Sequence, residues 1–313
     1  MATDTEIAHA ARILREGGLV AFPTETVYGL GADASNAAAV ARMYAVKGRP
    51  ADHPVIVHFE SMEPALAWSR DIPKVAFDLA KRFWPGPLTL ILRASDRAKP
   101  FVTGGQPSVG IRVPSHPVAQ RLLKAFGDGI AAPSANRFGH VSPTSASHVR
   151  ADLGDDVELV LEGGPSEVGI ESTIVDLSGD GAVLLRPGRI SRAELEELVS
   201  LREKDASAPR HSGGLERHYA PRTPARLVPT HTLDQEIARL GDKVAVLAFS
   251  RPDERVDYWL RMPRDPQAYA QRLYAALREL DGAGCEQILV EAPPEALDWA
   301  AVADRLQRAC ARA

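Results

Sequence analysis

The chain has 313 residues, 45% hydrophobic and 25% charged, which suits a globular protein in water and excludes disorder throughout. The length favours two domains, with cores large enough to need neither disulfides nor metals. A net charge of −4 lacks the basic signature of a tight nucleic-acid binder, although a local basic patch stays open. The two cysteines, Cys285 and Cys310, form no disulfide framework and have no metal-like spacing. No apolar run approaches the ~18 residues of a membrane span, and MATDTEIAHA has no basic segment before an apolar core. The expected location is therefore the cytoplasm.

Residues 5–16 predict a helix ended by Gly17-Gly18, where glycine suits a left-handed cap. LVAFP (19–23) reads as a strand, and Ser35 to Val46 as a helix capped by Ser35 or Asn36. PVIVHF (54–59) is a strand and KVAFDLAKRFW (74–84) a helix. LTLILRA, SVGIRVP and GIAAPSA follow as strands, with the helix HPVAQRLLKAF between the last two. VELVLEG, STIVDLS and AVLLRP are further strands, and SRAELEELV closes the segment as a helix capped by Ser191. Strands outnumber the helices between them, so the sheet of this α/β domain should be mixed and twisted rather than purely parallel. Residues 201–224 are polar, with Gly213-Gly214 and three prolines, and read as a linker. Residues 225–313 predict a smaller Rossmann-like α/β domain. Its elements are ARLVP, a helix from about Leu233, VAVLAFS, a helix from Pro266 to Leu280, QILVEA and a terminal helix over 298–311.

Common signatures fail. GLGADA (29–34) fits a dinucleotide-binding G-x-G-x-x-A, but TETVY separates its glycines from the strand, so a tight turn entering a helix is the better reading. G-x-x-x-x-G-K-[ST], G-x-S-x-G and H-E-x-x-H are absent. What stands out is polar and glycine chemistry at strand ends: FPTETVYGLG, KGRPADHPVIVH, SVGIRVP with Arg112 inside an apolar strand, APSAN, GIESTIVD and LLRPG. Ligands of open α/β sheets bind where strand ends and loops converge, so these features point to one shared crevice.

FPTETVYGLG, KGRPADHPVIVH, WPGPLTLIL, VGIRVP, APSAN and the GxxSTIVD segment together resemble the YrdC-type domain of L-threonylcarbamoyladenylate synthases. His218-Tyr219-Ala220-Pro221 matches the HYAP motif in the linker of that family's long form. The resemblance is strong over about residues 5–200, clear in the linker and loose in the last ninety residues. It implies a YrdC-like catalytic domain (1–200), a linker (201–224) and a C-terminal domain (225–313). The implied reaction makes L-threonylcarbamoyl-AMP and pyrophosphate from L-threonine, bicarbonate or CO2, and ATP. A tRNA threonylcarbamoyl transferase complex would take the product; direct, weak tRNA binding stays open.

Carried over motif by motif, the resemblance makes Lys47 and Arg49 the triphosphate-contacting K-x-R pair, and Ser134 and Asn136 the S-x-N pair serving nucleotide and carbamate. ATP would also meet His53, Ser108, Ser142 and Arg186, with Tyr219 covering the nucleotide. His53 stands where many relatives carry asparagine, which makes that contact pH-sensitive. Arg112 would hold the threonine carboxylate, with Thr24, His58, Ala132 and Ser172 around the rest of the amino acid. Blander readings stand beside these. Two cations can complement a helix C-terminus, a strand histidine can be a core residue, and Tyr219 can merely pack the linker against the second domain. Mg2+ is implied by the triphosphate; Glu25 and Glu171 could hold its waters or equally cap loops, and neither is assigned. Two rivals remain. A carbamoyl-adenylate-forming domain of hydrogenase maturation would come with acylphosphatase and zinc-finger segments, which this chain lacks. A non-catalytic RNA-binding module is weakened by the net charge.

Overall fold

A computed structural model describes residues 1–205 and 208–311. The chain divides into two compact units, Met1–Phe138 with Pro143–Gly214, and Gly139–Ser142 with Leu215–Ala313. The expected linker is thus shared between them, its first part in one unit and the HYAP motif in the other. Ala206 and Ser207 of that linker, and Arg312 and Ala313 of the expected second domain, lie outside the described residues.

The first unit carries β1 (Val20–Phe22), β2 (Gly29–Asp33), β3 (Ile56–His58), β4 (Leu88–Arg93), β5 (Ser108–Arg112), β6 (Ile130–Ala131), β7 (Leu159–Val160), β8 (Thr173–Asp176), β9 (Ala182–Arg186) and β10 (Leu201–Arg202). They form one mixed sheet in the order β10-β9-β8-β4-β5-β3-β6-β2-β1-β7. β3 runs parallel to β5 and β4 parallel to β8, whereas β4–β5 and β1–β2 are antiparallel. The centre is covered on both faces, which is why β4 reads as the continuous apolar run LTLIL.

One face is closed by the helices Asp4–Arg15 and Pro117–Phe126. The first begins with a capping box between Thr3 and Glu6 and buries Ile7, Ala10, Ala11 and Leu14, the helical spacing of one apolar stripe. That stripe shares a core with Leu122 and Leu123 of the second helix and with Val20, Phe22 and Ile130 of the sheet. Each fully buried leucine there contributes roughly 1.5–3 kcal/mol.

GLGADA is a strand, not a turn entering a helix: Gly29–Asp33 pairs antiparallel with β1, Phe22 facing Gly29. The glycines serve close packing, since a Cβ on Gly31 would lie 2.9 Å from Ile130 Cγ2 and 3.0 Å from Phe22 Cε1. The helix that follows is capped by Asn36, whose side chain accepts from the N–H groups of Ala38 and Ala39.

The second unit holds β11 (Ala225–Val228), β12 (Val244–Ala248), β13 (Tyr258–Arg261) and β14 (Gln287–Glu291) in the order β11-β14-β12-β13, all parallel. Its helices are Leu233–Leu240, Pro266–Asp281 and Ala300–Ala309, the expected Rossmann-like arrangement. Strand β13 was not expected: it lies at the sheet edge, with Tyr258 and Arg261 exposed, so it shows no apolar run. Among the described residues no helix is long and apolar enough to cross a membrane.

Candidate active site

Backbone pairing brings five distant segments to one end of the first sheet. Tyr28 accepts from Ala135 N–H at 2.9 Å and Leu30 donates to Pro133 O at 2.8 Å, which stitches APSAN to the end of the TETVY loop. Ala132 N–H reaches Ile56 O of β3 at 3.0 Å, and Val168 N–H reaches Glu25 O at 2.8 Å. β3 and β5 then set His58 opposite Arg112 in register.

One end of the site centres on Arg112, 4% exposed. Its Nη2 donates to Glu25 Oε1 at 2.6 Å, and the second Glu25 oxygen accepts from Ser115 N–H at 3.1 Å. Arg112 Nε is buried without a partner. A buried cation needs an anion, and here the resident one is a side chain whose single contact leaves part of the guanidinium unused. His58 is 4% exposed, its Nδ1 likewise unpaired, and burial, then the Arg112 charge, push its pKa down to about 3. The imidazole is therefore neutral at physiological pH. Thr24 Oγ1 donates to Val27 O at 2.6 Å and accepts from Val27 N–H, which folds the loop that presents Glu25.

Thr89, paired across from Arg112, connects this end to Arg186 through Ser172. The Ser172 hydroxyl lies 2.8 Å from Thr89 Oγ1 and accepts from Arg186 Nη2 at 3.1 Å, while Arg186 Nε donates to Ser172 O at 3.0 Å. Arg186 Nη1 donates to Ser212 O at 2.9 Å. Arg49 Nη2 donates to Pro54 O at 2.8 Å and lies 3.5 Å from Ser212 Oγ. Its guanidinium stands 5.9 Å from the Tyr44 ring centre and 5.8 Å from that of Phe138. A shallow cleft opens here, lined by Ile56, Thr89, Ser108 and Gly110 of the sheet, by Gln106, and by Arg210, His211 and Ser212 of the expected linker. That segment is fastened at Gln106, which donates to Arg210 O at 3.0 Å and accepts from Arg210 N–H at 2.7 Å.

Lys47 ends its helix 2% exposed, its Nζ 2.5 Å from both Ser134 O and Asn136 O. Burial, then Arg49, lower its proton affinity well below the usual lysine value, and the two carbonyls replace the water it has lost. In this state it organises the S-x-N loop. His53 is half-buried beside Phe138, 5.5 Å between ring centres, and burial, then Arg49, lower its pKa as well. Ser142 and Tyr219 belong to the second unit. Tyr219, 1% exposed, packs within that unit against His218 (4.2 Å between ring centres), Tyr274 (5.8 Å) and the Arg305 guanidinium (5.4 Å).

The sheet therefore gathers Thr24, His58, Arg112, Ala132 and Ser172 on one side and Arg49, Ser108 and Arg186 on the other. Sequence reading did not single out Thr89, Gln106, Arg210 or Ser212. Thr89 carries a signal, a lone polar residue inside LTLIL; the others lie in loops whose composition reads as connection.

Two family profiles cover the chain. One, described as telomere recombination and named for the Sua5, YciO and YrdC proteins, matches residues 12–188; the other, the threonylcarbamoyl-AMP synthase C-terminal domain, matches residues 190–311. The threonylcarbamoyl-AMP synthase of Pyrococcus abyssi is 40% identical over 320 residues, covering 97% of this chain and 94% of that protein. That of Bacillus subtilis is 40% identical over 322 residues, covering 98% and 93%. The crystal structure of P. abyssi Sua5 complexed with L-threonine matches with a TM-score of 0.93 at 38% identity, covering 98% of this chain and 95% of that one. With both of its units matched over nearly their full length, the chain belongs to the threonylcarbamoyl-AMP synthase family.

Proposed function

We propose that the enzyme joins L-threonine, bicarbonate or CO2, and ATP into L-threonylcarbamoyl-AMP and pyrophosphate, in the cytoplasm, for transfer to tRNA by a threonylcarbamoyl transferase complex. The observation that carries this reading is Arg112, a buried guanidinium with an unused Nε, set across from Thr89, whose hydroxyl meets Ser172 and through it Arg186. An amino-acid carboxylate fits the free edge of Arg112 in the forked geometry that guanidinium favours. Neutral His58, with Thr24, Ala132 and Ser172, would surround the rest of the threonine. Arg49, Arg186 and Lys47, with Ser108, His53, Ser134 and Asn136, would take ATP. Ser142 and Tyr219 keep their ATP assignment by resemblance alone.

The carbamate oxygen is already anionic when it attacks the α-phosphorus, so that step needs alignment and charge neutralisation more than a base. Among the described residues no three His, Cys, Asp or Glu side chains gather into a metal site. Glu25 already accepts from Arg112 and from Ser115 N–H, and among the described residues no second carboxylate joins it in such a group. These residues do not fit a resident divalent ion, so Mg2+ is read as arriving on the triphosphate.

The test is pyrophosphate release from ATP with each amino acid, with and without bicarbonate. Release should require L-threonine and bicarbonate together. Equal release with serine, or with no amino acid, would overturn the substrate assignment. Weak serine turnover would not, because one methyl group discriminates by only ~1–3 kcal/mol.

A further inference from the structure

We propose that Glu25 is the catalytic base that takes a proton from the ammonium group of L-threonine as its nitrogen adds to bicarbonate. The inference rests on the substrate reading above and adds a residue to it. The Glu25 and Arg112 side chains are each 5% exposed and meet through one guanidinium nitrogen at 2.6 Å. Arg112 Nε is left over.

A substrate carboxylate on that free edge places two carboxylates on one guanidinium. Arg112 then no longer neutralises Glu25 alone. The same amino acid carries its ammonium on the carbon next to its carboxylate. The proton donor therefore arrives beside the Glu25 carboxylate, on the guanidinium that both carboxylates share. Among the described residues, Arg112 of β5 and His116, which precedes the helix Pro117–Phe126, interact with Glu25; burial lowers the pKa of His116, with Gly163 O and Glu25 opposing. His58 of β3 interacts with Arg112, and Glu167 with His116. Both imidazoles have their protonated form disfavoured, which leaves Arg112 as the cation that Glu25 answers to.

The step balances. One ammonium proton passes to Glu25, the freed nitrogen pair forms the N–C bond to bicarbonate carbon, and the C–OH bond breaks. The departing hydroxide leaves as water with a second nitrogen proton. The carbamate keeps one N–H and the negative charge that attacks phosphorus.

The experiment measures steady-state pyrophosphate release from neutral to alkaline pH for the full chain and two variants. Glu25→Gln should lose roughly 10²–10⁴-fold in kcat, with a much smaller change in the KM for threonine. The loss should shrink by about tenfold per pH unit as the free-amine fraction of threonine rises. Glu25→Asp, which keeps the charge but withdraws it, should recover part of the rate. If Glu25 only holds Arg112 in place, Glu25→Gln will raise the KM for threonine and keep the wild-type pH slope, and the proposal fails. Should Glu25→Gln not fold, Glu25→Asp decides: a reduced kcat at unchanged KM for threonine supports the base, and a wild-type kcat or a raised KM for threonine overturns it. Wild-type release without threonine or bicarbonate would instead sink the substrate reading, and this inference with it.

Discussion

At the scale of single residues, the site is built from charges that the fold keeps dry. His58 has the clearest consequence for stability, since its pKa falls from 6.5 to about 3 on folding. Between those values the unfolded chain binds more protons than the folded one, so stability rises with pH across that window and is lost as pH falls through it. The slope is about 1.4 kcal/mol per pH unit for this one group. His53 and His116, whose pKa values are also lowered, act with the same sign. Denaturant titrations of His58→Gln should show a shallower acid loss than wild type, and parallel slopes would show that His58 is not the buried neutral group described. Arg112 was legible in the sequence because an arginine inside SVGIRVP needs an anion. Its partner was not, because Glu25 lies 87 residues away and meets it only through the folding of the Thr24 loop.

At the scale of elements, two glycines separate conformational strain from lack of room. Gly48 caps its helix at φ +64 with nothing near a would-be Cβ, so Gly48→Ala should cost about 1–2 kcal/mol from the left-handed backbone alone. Gly104, at φ +62, would put a Cβ 2.3 Å from Asp52 O, so Gly104→Ala should add roughly 1–3 kcal/mol of overpacking. It should also loosen the segment at Arg210, whose Nη2 donates to Gly104 O at 2.8 Å. Urea midpoints of the two variants check the order; equal midpoints would refute it. The elements read correctly from sequence are those with a strong period or an apolar run, such as Asp4–Arg15 and β4. β2 was misread because its glycines, there for close packing, imitate a turn. Composition reads residues 201–224 as a linker, yet residues 209–214 belong to the first unit, held by side chains that composition does not reveal.

At the scale of the molecule, a chain ending at Gly214 keeps all ten strands of the large sheet. It should melt cooperatively; if Ser142 and Tyr219 serve ATP as proposed, it should also lose most pyrophosphate release, because Ser142 and Val141 lose the Arg278 contacts to their carbonyls and Tyr219 is gone. Circular dichroism and the pyrophosphate assay test this, and full activity would remove the second unit from the synthesis. The two sheets also differ at their margins. The outer strands of the large one, β7 and β10, are two residues each, too short to template an incoming strand. The small sheet ends on β11 and β13, four residues each, and Tyr258 on β13 is 50% exposed. Filament growth by strand addition therefore has its template in the second unit, while the sheet that carries Arg112 and Arg186 offers it almost no purchase.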